Sequence, residues 1–183
     1  MLNKIKKNKK GFTIIETMIV LAIAGLIMLI VFLAVPALQR SARNTQRKND
    51  AGNIASGIST WISNNNGTVP GYETGSYTQA TCNSDLASIV GGIKLSYYTS
   101  TNIQCAAGTT APPACTTTGI SGTCPVASTV NTEDVYMVPG NVCNGNSPST
   151  TNSSTGATAT TRSYVILYEV ETGGAPTEQC IEG

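Results

Sequence analysis

The 183-residue sequence contains no histidine. That removes the commonest general base and the commonest metal ligand together. A serine nucleophile would have no imidazole to activate it. A serine–lysine dyad would have to use Lys94, the only lysine beyond Lys48, and no motif frames it. Phosphate-binding loops, dinucleotide fingerprints and EF-hand spacings are missing as well. No two cysteines stand at C-x-x-C spacing, and no histidine could complete a zinc site. Carboxylates cluster only at Glu133–Asp134 and at Glu169 and Glu171. The second pair reads as the solvated face of an edge-like strand. No enzyme activity, metal or cofactor is expected.

Basic residues are scarce after the first eleven positions. Residues 1–11 hold five lysines (Lys4, Lys6, Lys7, Lys9 and Lys10) and no acid. The rest of the chain has 6 basic against 10 acidic residues, a net charge of −4. An acidic body without basic clusters does not suit nucleic acid.

What the sequence does have is one long apolar run. No side chain from Met18 to Leu38 is charged. A run of 18 or more apolar residues can cross a hydrocarbon core about 30 Å thick. Glu16 stands just before it, where a carboxylate in mid-membrane would cost about 2.5–3.5 kcal/mol. Lysines precede the span, but Arg40, Arg43, Arg47 and Lys48 follow it, so charge alone does not orient it. The six cysteines (Cys82, Cys105, Cys115, Cys124, Cys143 and Cys180) all lie beyond the span. An even count in a Thr/Ser/Asn-rich region suggests disulfides and an oxidising compartment outside the cytoplasm. Six cysteines allow 15 pairings, and spacing does not choose among them.

The leader ends at Gly11. Phe12, Thr13 and Glu16 follow it and open the apolar run, in the order GFTIIETMIVLAIAG. This stretch resembles the precursors of type IV pilins, most nearly a major pilin subunit with a type III prepilin leader. The resemblance covers some fifteen residues. It implies cleavage between Gly11 and Phe12 by a prepilin peptidase and N-methylation of Phe12. The apolar helix is then retained as the polymerisation element, with Phe12, Thr13 and Glu16 serving assembly. Glu16 of one subunit would neutralise the new amine of Phe12 on a neighbour. In pilins the helix can melt between a glycine and a proline when the filament forms. Gly25 and Pro36 are the candidates here, and Pro36 lies further from its glycine than is usual in the family. A bridge closing the C-terminal region is common in pilins and points to Cys143–Cys180.

The expected fold is α+β and type IV pilin-like. A long hydrophobic, then amphipathic N-terminal helix packs on a small antiparallel β-sheet with disulfide-stabilised loops. The expected parts are a leader (1–11), a transmembrane and polymerisation helix (12–39), its amphipathic half (40–63) and a globular head (64–183). Leu38, Ala42, Ala51, Ile54, Ile58, Trp61 and Ile62 supply the buried stripe of that second half, by their three- and four-residue steps. Arg40, Arg43 and Arg47 form its polar face, solvated or paired with acids of neighbours or with lipid head groups. Gly67 suits a left-handed helix end. Asn83 is expected to cap a second helix with Leu86, Ile89 and Val90 inside. Strands are expected at residues 93–98, 135–138 and 163–170, from their period-two patterns and short apolar runs. Cys105, Cys115 and Cys124 are expected to staple the Thr-rich stretch from Thr99 to Thr132.

The resemblance implies a structural subunit of an extracellular filament for attachment, twitching motility or DNA uptake. A minor pilin or secretion-system pseudopilin is the alternative within that class. A monomeric, membrane-anchored binding module is the alternative outside it. The implied partners are further copies of the chain in a helical filament, the peptidase and assembly machinery, and a surface or host-cell ligand. Before assembly the subunit would be a single-pass protein of the cytoplasmic membrane with its head outside.

Overall fold

The computed structural model describes residues 11–73, 76–106, 133–149, 156, 160 and 162–183. The chain divides into two compact units, Met1–Gln39 and Arg40–Gly183. Helix α1, Ile14–Asn64, contributes to both.

In the first unit α1 is unbroken through Gly25 and Pro36. Pro36 has no N–H to offer the carbonyl of Phe32, one turn earlier. Every residue from Gly11 to Gln39 is exposed.

In the second unit the apolar stripe of α1 is buried from Ala51 onward, whereas Leu38 and Ala42, expected to belong to it, are exposed because they precede the part of the helix that packs on the head core. Ala51, Ile54 and Ile58 are fully covered, with Trp61 and Ile62 at the margin. The helix ends where Gly67 takes φ +79° and its N–H reaches the carbonyl of Ile62 at 2.8 Å. A left-handed glycine there satisfies one of the last helical carbonyls. Strands β1 (Tyr72–Glu73) and β2 (Ser76–Tyr77) form a short antiparallel pair. Helix α2, Gln79–Gly91, follows. Thr78, rather than Asn83, caps it by accepting from the Thr81 N–H. Asn83 instead accepts from the Cys105 N–H at 2.8 Å, because the first turn of α2 lies against the next strand.

The remaining strands are β3 (Ile103–Cys105), β4 (Val135–Pro139), β5 (Val142–Asn144), β6 (Ser147–Ser149), β7 (Tyr164–Val170) and β8 (Thr177–Glu182). One sheet runs in the order β3-β4-β7-β8, and β5-β6 is a separate hairpin. The sheet is antiparallel except at its β3 edge, which pairs with β4 in parallel. One face carries Met137, Tyr164, Ile166 and Tyr168 against α1 and α2. The other carries Val138, Val165 and Leu167 with Ala106, flanked by Tyr136, Cys143 and Cys180. The alternation read in residues 163–170 therefore places its side chains on the two faces as expected.

The expected strand at residues 93–98 does not form. Its backbone donors are claimed by a side chain of α1. The Asp50 carboxylate accepts from the N–H groups of Ser96 (2.9 Å), Tyr97 (2.6 Å) and Tyr98 (3.1 Å). With these three donors on one carboxylate, and that of Ile93 on the Val90 carbonyl, the segment cannot run a strand ladder.

Among the described residues two disulfides tie this unit, Cys82–Cys105 and Cys143–Cys180. The second is the bridge the resemblance pointed to. The first removes Cys105 from the expected staple of the Thr-rich stretch and joins α2 to β3. Gln79 strengthens that junction by donating to the Cys105 carbonyl at 2.8 Å. Cys115 and Cys124 lie outside the described residues.

Candidate functional site

The N-terminal end of α1 is built by three residues. Thr13 precedes the first helical residue and Glu16 is the third residue of the helix. The Glu16 N–H donates to Thr13 Oγ1 at 3.4 Å. In return Glu16 Oε2 accepts from the Thr13 N–H at 2.9 Å and from Thr13 Oγ1 at 2.8 Å. This is a capping box, which satisfies two of the donors that a helix start leaves unpaired. A carboxylate there also complements the positive end of the helix dipole. Glu16 thus has a partner within its own chain. The T-x-x-E spacing is the sequence signal for that box.

Gly11 and Phe12 lie immediately before the box. Phe12 is 86% exposed. A Cβ built on Gly11 would meet nothing within 4 Å, and its φ is not in the left-handed region. Among the described residues nothing therefore requires glycine at position 11. The same open space surrounds Gly25.

From Ile14 to Leu38 the helix presents Ile, Leu, Val, Met and Phe side chains at 38–80% exposure on all sides. It is long and apolar enough to cross a membrane. An apolar surface this extensive in water would be unstable, so its ordinary surroundings are lipid or other apolar helices.

Residues 6–32 match the family model of the prokaryotic N-terminal methylation motif. No curated protein and no solved structure matches the chain. The matched stretch contains Gly11, Phe12, Thr13 and Glu16 together with the apolar run as far as Phe32. A methylation motif of this kind, with a type IV prepilin-like leader, agrees with the resemblance drawn from GFTIIETMIVLAIAG.

The second unit holds a polar cluster that was not expected. Arg47 is almost fully buried although it lies on the supposedly solvated face of α1. Its Nη2 donates to Tyr97 Oη at 2.6 Å and to Glu171 Oε1 at 2.7 Å, and its guanidinium lies 4.5 Å above the Tyr97 ring. Arg43 donates from Nε and Nη2 to the two oxygens of Glu171, at 3.1 and 2.5 Å. Asn44 completes the junction by bonding both the N–H and the C=O of Glu171. These arginines therefore pair with an acid of their own chain. Glu171 is not a solvated strand residue. The forked bond from Arg43, then that from Arg47, lowers its pKa to about 2. Glu169 is also buried, not solvated.

The geometry makes this cluster a clamp between α1 and the end of β7, not a reactive site. Among the described residues no group of three or more Cys, Asp or Glu side chains is placed to hold a metal ion.

Proposed function

We propose that the chain is a structural subunit of a type IV pilus, a filament built by side-by-side packing of α1. The observation that carries this reading is the methylation motif at the head of a helix whose residues 11–39 are exposed throughout. Head-to-tail contacts that do not close generate open helical assemblies. Within such a fibre the apolar surface would be buried against identical helices.

Processing between Gly11 and Phe12 by a prepilin peptidase leaves the Thr13 amide in place, so the capping box persists. The demand for glycine at position 11 then lies with the peptidase. The new Phe12 amine, N-methylated, carries a positive charge beside a helix that already holds a carboxylate at Glu16. In an apolar core a carboxylate facing the amine of a neighbour interacts more strongly than in water. A register that separated the two would leave a bare charge. Before assembly α1 anchors the subunit in the cytoplasmic membrane with the disulfide-bonded head outside, where the assembly machinery collects it.

Mass spectrometry of the mature protein tests the processing. The expected amino terminus is methylated Phe12, and an intact Met1 would refute the reading. Electron microscopy of cells carrying Glu16→Ala tests the pairing. Cleaved, membrane-bound subunits with markedly fewer filaments are expected.

A further inference from the structure

Two carboxylates lie directly opposite each other on the sheet face away from α1. Glu169 of β7 pairs in register with Glu178 of β8. Directly opposed side chains in an antiparallel pair have Cβ atoms about 4.5–5.5 Å apart. Both are more than nine-tenths buried. Glu178 Oε2 has no hydrogen-bond partner, and Ser147 of β6 supplies the one side-chain hydrogen bond to the carboxyl.

Among the described residues no counter-ion reaches Glu178. Beyond Lys48 the chain has only two basic residues, Lys94 and Arg162. Lys94 is exposed after α2, which packs on the other sheet face, and the Arg162 guanidinium lies against Gly67. Arg43 and Arg47 are held by Glu171, and Arg40 lies beside Gly173. The stretches 107–132 and 150–161 contain no Lys, Arg, Asp or Glu. The neighbouring elements add only like charge or none. Strands β5 and β6 carry no ionisable side chain apart from the bridged Cys143. Strand β8 adds Glu182, which accepts from the Cys143 N–H. On the β4 side stand Asp134 and Tyr136. Burial of a charge without a partner is relieved by protonation.

We propose that Glu178 keeps a proton beside Glu169 and acts as a latch that holds the β5–β6 hairpin closed over β8 until that proton is lost. Burial raises the pKa of Glu169 and Arg47 opposes that rise, whereas at Glu178 burial, against the Ser147 hydrogen bond and together with the Glu169 charge, pushes the pKa up to about 7. The proton therefore resides on Glu178. A group whose folded pKa is raised stabilises fully below its ordinary value of 4.5, and that contribution is lost as the pH rises through about 7. The Cys143–Cys180 bridge keeps the hairpin attached when the latch opens, so opening is local and reversible.

The test uses the full chain in detergent micelles. Amide hydrogen exchange of residues 142–149 and 177–182 is measured at about pH 5.5 and about pH 8.5, on either side of the latch, and corrected for intrinsic rate. Protection is expected to fall at least about tenfold at the higher pH. In Glu178→Gln the fall should vanish, while Glu182→Gln should keep it. An unchanged fall in Glu178→Gln, or none in the unmodified chain, overturns the proposal. Should Glu178→Gln fail to fold, infrared titration of the unmodified chain decides. A protonated-carboxyl band that persists above about pH 6 and disappears through neutrality supports the latch, and its absence there overturns it. The proposal does not depend on filament formation.

Discussion

Asp50 and Arg47 are the two buried charges of α1, and each organises a different neighbour. Asp50 holds three consecutive backbone donors of Ser96–Tyr98. A buried donor left without its acceptor costs about 1–3 kcal/mol. Asp50→Ala is therefore expected to destabilise the head by at least about 3 kcal/mol in chemical denaturation, and Asp50→Asn by less. Glu171 answers to pH in the opposite sense to Glu178. Its folded-state carboxyl ionises more readily than an unfolded one, so its contribution is complete above 4.5 and is lost as the pH falls towards about 2. The melting temperature of Glu171→Gln should be lower than that of the unmodified chain near neutrality. The difference should close below about pH 3. None of this could be read from residue type. Arg47 looks like Arg40 and Arg43 in the sequence. Only the fold shows that Glu171, 124 residues away, completes its environment. Glu16 was legible to a greater degree, because its capping partner is three residues away.

At the level of elements, local periodicity succeeded where burial is one-sided. The stripe of α1 from Ala51 to Ile62 and the alternation of β7 both appear in the structure with the expected faces, although Leu38 and Ala42 are exposed. Periodicity failed at residues 93–98, where three donors answer to a distant carboxylate instead of a strand. It was silent on β8, whose sequence TEQCIE mixes polar residues on both faces. The two halves of α1 should respond differently to the same truncation. Ile54 is completely buried, and Ile54→Ala is expected to cost about 2–5 kcal/mol of head stability. Ile23 is 55% exposed, and Ile23→Ala should leave the head's denaturation midpoint unchanged. If the helix is the core of a fibre, that second change should instead lower filament yield. Measuring both quantities for both variants separates folding from assembly.

For the molecule as a whole, the disulfides tie regions that are remote in sequence. Cys143–Cys180 closes a separation of 37 residues. In the chain-entropy account a loop of that size restricts the unfolded state by about 4 kcal/mol. Replacing both cysteines by serine should lower the unfolding free energy by about 2–4 kcal/mol, measured in guanidinium at constant pH. The general architecture was legible because an apolar run and a cysteine set each have few structural solutions. The parallel β3 edge and the Cys82–Cys105 link were not, because both depend on how α2 lies against the sheet.

Strand β8 ends the sheet order, and this position bears on the company a subunit keeps. An outermost strand exposes a row of backbone groups to which another chain can add. In a fibre of the proposed kind, subunits would meet identical edges continually. A foreign strand paired at that edge would set its own side chains beside a buried carboxyl already matched to Glu169 and Ser147. The same acid that tightens the head in mildly acidic surroundings would discourage neighbouring heads from fusing into amyloid-like sheets.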